Sequence, residues 1–135
     1  MADLNQVCAD VTNNVANSLG CAVVDLETGL LLGVHHNVPY FTESYLDAVA
    51  AAAVDMFRGR TVANVEELLG KQRGEEVRNS IKEVQMSTDG TYHFMKVLPN
   101  KPNALAVLIT SRKANLGTGW TSLRSAMDTM EPLVP

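Results

Sequence analysis

The sequence predicts an α+β domain, with helices segregated around one antiparallel sheet. Three observations carry that expectation. Apolar residues recur at helical steps near both ends of the chain, two internal runs are apolar on both alternating faces, and Gly-containing turn signals join strand-like stretches into hairpins.

At the start, Leu4, Val7, Cys8, Val11, Val15 and Leu19 recur every three or four residues, separated by Asn, Asp, Gln and Thr, which is one apolar stripe on a helix from Asp3 to Asn17. Cys21-Ala22-Val23-Val24-Asp25-Leu26 follows as a strand with two covered faces, and so belongs inside the sheet. Glu27-Thr28-Gly29 supplies a tight turn, with Gly29 free to take a positive φ, and Leu30 to Val34 returns as the second strand. Thr42 is placed to cap a helix from Glu43 to Phe57, with Glu43 beside the positive end of its dipole.

On that helix Tyr45, Val49, Ala52 and Met56 fill one sector, and Leu46, Ala50, Val54 and Phe57 fill the next, while Asp47, Asp55 and Arg58 lie opposite. The two sectors span roughly 200°, wider than the ~100° a one-sided surface helix needs, so the helix requires two apolar neighbours. The run Ala48 to Ala53 fits simple helix propensity, and its small side chains would also let another backbone approach closely.

Gly59 interrupts the pattern, and Val62, Val65, Leu68 and Leu69 resume a helical step until Gly70, with Gly74 a further break. The periodicity leaves open whether the helix bends or restarts. Ser80 to Thr88 alternates Ile81, Glu83, Gln85 and Ser87 against Lys82, Val84 and Met86, a half-buried strand ending at the turn pair Asp89-Gly90. Thr91 to Leu98 is the fourth strand, Pro99 to Asn103 reads as a loop, and Ala104 to Ile109 is a fifth strand apolar on both faces. Asn115 caps a last helix whose stripe is Leu116, Trp120, Leu123, Met127, Met130 and Val134.

The bounds are those of an ordinary globular protein. The 135 residues fit a single domain over 1–135, with 46% hydrophobic and 19% charged residues. A net charge of -4 with scattered Lys and Arg argues against a nucleic-acid partner. Met1-Ala2-Asp3-Leu4-Asn5 lacks the character of a secretory signal, and no apolar run reaches the ~18 residues of a membrane span, so a cytoplasmic location is expected. Cys8 and Cys21 lie among apolar neighbours and read as buried free thiols.

No constellation for catalysis stands out. His35 and His36, adjacent on a strand, point to opposite faces and cannot readily share a metal. His93 has no nearby Cys or second His and reads as a half-buried strand residue. Gly117-Thr118-Gly119 opens a helix after a strand, but Ser122 stands where the third glycine of a dinucleotide motif would be. The expectation is no catalytic residue, no metal ligand and no cofactor.

Two segments carry a resemblance. Val23-Val24-Asp25-Leu26-Glu27-Thr28-Gly29-Leu30 and Thr110-Ser111-Arg112-Lys113-Ala114-Asn115-Leu116-Gly117 resemble the first hairpin and the final strand-to-helix junction of the roadblock/dynein light chain family, including its bacterial-type GTPase-regulator-like domains. The resemblance spans nearly the whole chain. It implies a profilin-like, roadblock-like α/β/α sandwich: a five-stranded antiparallel sheet ordered 2-1-5-4-3, with helix two on one face and the terminal helices on the other. The residue patterns agree, since strands one and five are apolar on both faces and strand three alternates as an edge strand would.

The resemblance also implies a non-catalytic homodimeric adaptor or regulator for a Ras-like small GTPase or a motor or signalling complex. Its dimer would join through helix two and strand three, with Tyr45, Val49, Ala52, Met56, Ile81, Lys82, Glu83, Val84, Gln85 and Met86 at the interface. A small-molecule-binding sensor is the alternative. The segment Arg60 to Glu76 is longer than the usual connection between helix two and strand three, so an added helical turn or insertion is expected there.

Overall fold

The structure, a computed structural model, describes residues 3–135, and Met1 and Ala2 of the N-terminal segment lie outside it. Its elements are α1 (Leu4–Asn14), β1 (Ser18–Asp25), β2 (Leu31–His36), α2 (Glu43–Arg58), α3 (Arg60–Arg73), β3 (Glu83–Ser87), β4 (Thr91–Leu98), β5 (Lys101–Ser111) and α4 (Leu116–Met130), followed by a 3-10 turn. The sheet is antiparallel throughout and ordered β2-β1-β5-β4-β3.

Helix α1 is shorter than its apolar pattern suggests. Asp3 caps it by accepting from the Gln6 amide at 2.8 Å, but Val15 leaves the helical region and Asn17 takes a φ of 66°. Leu19 therefore lies in β1, which begins at Ser18 and not at Cys21. A helical step that runs on into a strand cannot by itself mark the boundary; Asn17, able to adopt a left-handed conformation, supplies it.

The hairpin that follows turns on Gly29 at φ 75°. Asp25 organises this turn, accepting from the Glu27 amide at 2.9 Å and the Thr28 hydroxyl at 3.0 Å. Strand β2 starts at Leu31 and runs through both histidines, two residues further than the apolar run. Helix α2 begins where expected, with Thr42 Oγ1 accepting from the Tyr45 amide at 3.3 Å.

Gly59 ends α2 and starts α3, its extended ψ of 163° breaking the helix between them. Gly70 does not end α3. The helix continues to Arg73 and stops at Gly74, which is left-handed at φ 69°. Strand β3 is shorter than the alternating run, Glu83–Ser87 within Ser80 to Thr88. The Pro99 to Asn103 loop contracts to a two-residue turn, because β5 already begins at Lys101. Pro102 is tolerated there because the pairing register shifts between Val97 and Leu98, at an irregularity where a ladder N–H is dispensable.

Two apolar layers flank the sheet. Leu4, Val7, Cys8 and Val11 of α1 join Leu123, Met127 and Met130 of α4 over Val23, Phe94, Ala106 and Leu108. On the other face Ala50, Ala53 and Phe57 of α2 cover Val24, Met95, Leu105, Val107 and Ile109. Helix α2 and the terminal helices thus lie on opposite faces, and each large side chain fully removed from water contributes about 1.5 to 3 kcal/mol. Among the described residues no helix is long and apolar enough to cross a membrane.

Candidate functional site

A five-stranded open sheet has two edges, and unpaired backbone groups on an edge invite another strand. The two edges here differ. On β2, α1 packs so closely that a Cβ at Gly33 would lie 2.5 Å from the Leu4 Cβ. From that helix Asn5 Oδ1 accepts from the Val34 amide at 2.9 Å, occupying a donor that would otherwise face outward.

The β3 edge is bare by comparison. The Val97 amide donates to the Lys82 carbonyl and the Thr88 amide to the Thr91 carbonyl, both at 2.9 Å. Antiparallel alternation then turns the N–H and C=O of Glu83, Gln85 and Ser87 away from β4. Among the described residues nothing bonds to these outward groups.

The side chains of β3 divide between the two faces of the sheet. Glu83 and Gln85 point to the α4 side, where Glu83 pairs with Lys96 at 3.0 Å and Arg124 at 3.1 Å. Hydrogen bonding from Lys96, reinforced by Arg124, holds the Glu83 carboxyl below the usual carboxylate range. Gln85 accepts from the Trp120 indole at 2.9 Å. Val84 and Met86 point to the α2 side, half-buried against that core layer, and Ile81 joins them from just before the strand.

On the α2 side, Tyr45, Val49, Ala52 and Met56 line an apolar groove of about 220 Å³ with Met86, Met95, Val107 and Ile109. Thr88 and His93 supply its polar end. Of the ten residues expected at an interface, the groove brings together Tyr45, Val49, Ala52, Met56 and Met86. Val84 and Ile81 stand beside them. Lys82, Glu83 and Gln85 lie along the β3 edge with their side chains elsewhere, Lys82 donating to the Asn79 carbonyl at 2.7 Å. The sector Leu46, Ala50, Val54 and Phe57 faces the sheet as its spacing implies. Ala53, also fully covered there, escapes the wheel because alanine gives little contrast.

The segment before β3 is pinned by α3. Glu66 is buried, and its carboxylate accepts from the Ser80 amide at 2.6 Å and from the Ser80 hydroxyl. Burial opposes its charge, but hydrogen bonds from Ser80 and Asn79 outweigh that and hold its pKa below the ordinary value. An acid on an otherwise exposed helix carries no sequence signal for this role.

The other residues singled out in the sequence have packing or hydrogen-bond partners within the chain. His93 is more deeply buried than its alternating strand implies, with Nε2 3.0 Å from Thr91 Oγ1. His36 packs its ring on Phe41, with centroids 5.5 Å apart. Gly119 is a packing glycine, since a Cβ there would meet the Phe94 ring at 2.5 Å. Cys8 and Cys21 are free and buried together, and hydrogen bonding to Cys8 with burial pushes the Cys21 thiol up. Among the described residues no group of three or more His, Cys, Asp or Glu side chains gathers as a metal site.

Among solved structures, the chain is similar to the Roadblock/LC7 domain from Streptomyces avermitilis, at 15% identity and a TM-score of 0.71, with 97% of each chain covered. It is also similar to Myxococcus xanthus MglB, at 18% identity and a TM-score of 0.66, covering 93% of this chain and 89% of that one. Gliding protein MglB from Thermus thermophilus matches at 16% identity and a TM-score of 0.68, over 95% of this chain and 85% of that one. No family model matches the sequence, and no curated protein matches it.

Proposed function

Starting from the roadblock/LC7 fold that these likenesses establish, we propose that the chain is a non-catalytic homodimeric adaptor, presenting a shared surface to a Ras-like small GTPase or a motor or signalling complex. One observation carries the reading: the outward backbone of β3 lies bare beside the apolar α2 groove, whereas the opposite edge is plugged by Asn5. A second copy related by a two-fold axis offers the same edge and the same groove, and so satisfies both at once. An MglB structure described as having a tetrameric arrangement is a precedent for self-association on this fold in that protein.

The partner class comes from the roadblock resemblance and from fold similarity to the MglB proteins. A regulator of this kind would act by binding and by positioning the partner's own switch elements. In this groove a small-molecule ligand would have about 220 Å³, below the ~300–1,000 Å³ typical of ligand pockets, which favours a protein occupant there.

The test is light scattering coupled to size exclusion, on the native chain and on Val49→Lys, which puts a charge into the groove wall. The native chain should elute with dimer mass at micromolar concentration and the variant as a folded monomer. A native monomer at that concentration overturns the dimer. Saturable thermal stabilisation by one metabolite, with no change in mass, would replace the adaptor reading with the sensor.

A further inference from the structure

We propose that the outward apolar face of α3 packs on the aromatic N-terminal end of α2 in a second copy of the chain, so that each copy's added helix braces its partner. This rests on the homodimer proposed above. It concerns a helix which that interface leaves unused.

Helix α3 is anchored on one side only. Glu66 and Gly70 face the chain between α3 and β3, Glu66 through its bonds to Ser80, and Gly70 so closely that a Cβ there would lie 2.6 Å from the Glu75 carbonyl oxygen. On the other side Val65 is 52% exposed and Leu68 61% exposed, while Val62 and Leu69 are half-buried. The amphipathic stripe of this helix is therefore only half covered.

Symmetry identifies what covers the rest. Among the described residues six large hydrophobic side chains are exposed: Leu30, Tyr40, Tyr45, Val65, Leu68 and Leu116. Four of them fall in two pairs along the chain, one at the N-terminal end of α2 and one on α3, the helix that follows it. At the N-terminal end Tyr45, 38% exposed, stacks on Phe41 with ring centroids 4.9 Å apart, and Tyr40, 70% exposed, meets the same ring edge-on at 5.3 Å. Val65 and Leu68 lie on α3, which starts after the single residue Gly59 at which α2 ends.

A two-fold axis across the middle of α2 makes the paired helices antiparallel. With the axis between Ala50 and Ala51, Val49 faces the partner's Ala52 and Tyr45 faces the partner's Met56. The same operation carries Tyr40 of one copy past the end of the partner's α2, about 24 Å long, to where the partner's α3 begins.

Interface size argues the same way. The α2 sector and the β3 edge supply about ten residues a side, against the roughly 20–30 a side of a stable standard interface. Adding α3 and Tyr40 draws on the exposed side chains of Tyr40, Val65 and Leu68, which those ten leave out.

Sedimentation equilibrium on the native chain, Tyr40→Ala and the double variant Val65→Asp with Leu68→Asp tests this. A cross-linking mixture of Tyr40→Cys and Val65→Cys chains accompanies it, and the buried native thiols Cys8 and Cys21 stay silent in that assay. The expected result is a native dimer whose dissociation constant rises at least tenfold in both variants, with circular dichroism showing helix content kept. The mixture should form a disulfide between different chains. A native monomer would overturn the dimer itself. A native dimer with variant constants within twofold of it, and no mixed disulfide, would overturn the role of α3 and leave the dimer standing.

Discussion

The Trp120 indole Nε1 donates to Gln85 Oε1 at 2.9 Å, joining the last helix to the edge strand of the sheet. Arg124, one turn further along α4, stacks over the Trp120 ring 5.1 Å from its centroid and pairs with Glu83 at 3.1 Å. Two side chains of one helix thus hold two alternate residues of β3. The five-residue strand is thereby fixed in place, its side chains tied on one face and half-buried on the other.

The role of the edge can be separated from that of the side chain at Gln85. Gln85→Ala removes the bond from Trp120 and should lower monomer stability by about 1 kcal/mol while the dimer persists. Gln85→Pro removes in addition an outward N–H, a donor that only a second copy would use, and should abolish dimerisation with little further loss of stability. Val84→Pro should instead disrupt folding, because the Val84 N–H is directed at β4. Urea melts with light scattering on all three variants check this. Equal dissociation by the alanine and proline variants at Gln85 would show that edge pairing does not join the copies.

Much of the fold is legible in residue pattern, because the double-faced apolar runs of β1 and β5 admit only central positions and Asp89-Gly90 and Gly29 mark the turns. The boundaries that shift do so for local reasons. Leu19 continues a helical step although Asn17 has already reversed the chain, and Pro102 mimics a loop although it sits at a register shift. The groove is legible through the Tyr45, Val49, Ala52 and Met56 sector. What guards or pins each edge is not, since Asn5, Glu66 and Gln85 act through single long-range hydrogen bonds that leave no period in the sequence.

Gly119 should resist even the smallest side chain. In a solvent-facing helix, Gly→Ala stabilises by up to about 1 kcal/mol. At Gly119 the new Cβ would lie 2.5 to 2.9 Å from three atoms of the Phe94 ring. That ring is fully buried and held edge-on by Trp120 at 5.3 Å, so it has no free space to turn into. The clash wins: Gly119→Ala should cost about 1 to 3 kcal/mol. Thermal unfolding measures it, and a rise in melting temperature would show that the packed ring yields.

Stability should fall as the solution is acidified below about pH 6.5, and His93 should be the cause. Its side chain is buried at the polar end of the groove, where burial pushes its pKa below the ordinary ~6.5. Its Nε2 lies 3.0 Å from Thr91 Oγ1, which is in turn 2.6 Å from Thr88 Oγ1. As pH drops through about 6.5 the unfolded chain takes up a proton that the folded chain still refuses. The unfolded state is then favoured, by at most about 1.4 kcal/mol per pH unit for one group, until the folded pKa is reached. Glu66 and Glu83 behave oppositely in origin: their lowered pKa values supply stability present above the ordinary carboxylate range and lost only as pH falls through it. The interval from about pH 6.5 to about 5 therefore lies above the range in which these two carboxylates lose their contribution. Urea midpoints should be similar at about pH 8 and 7 and decline towards about pH 5 for the native chain, and decline less for His93→Gln, which keeps a polar side chain near Thr91 without the titration. If His93→Gln declines as steeply as the native chain, His93 is not the source of the pH dependence.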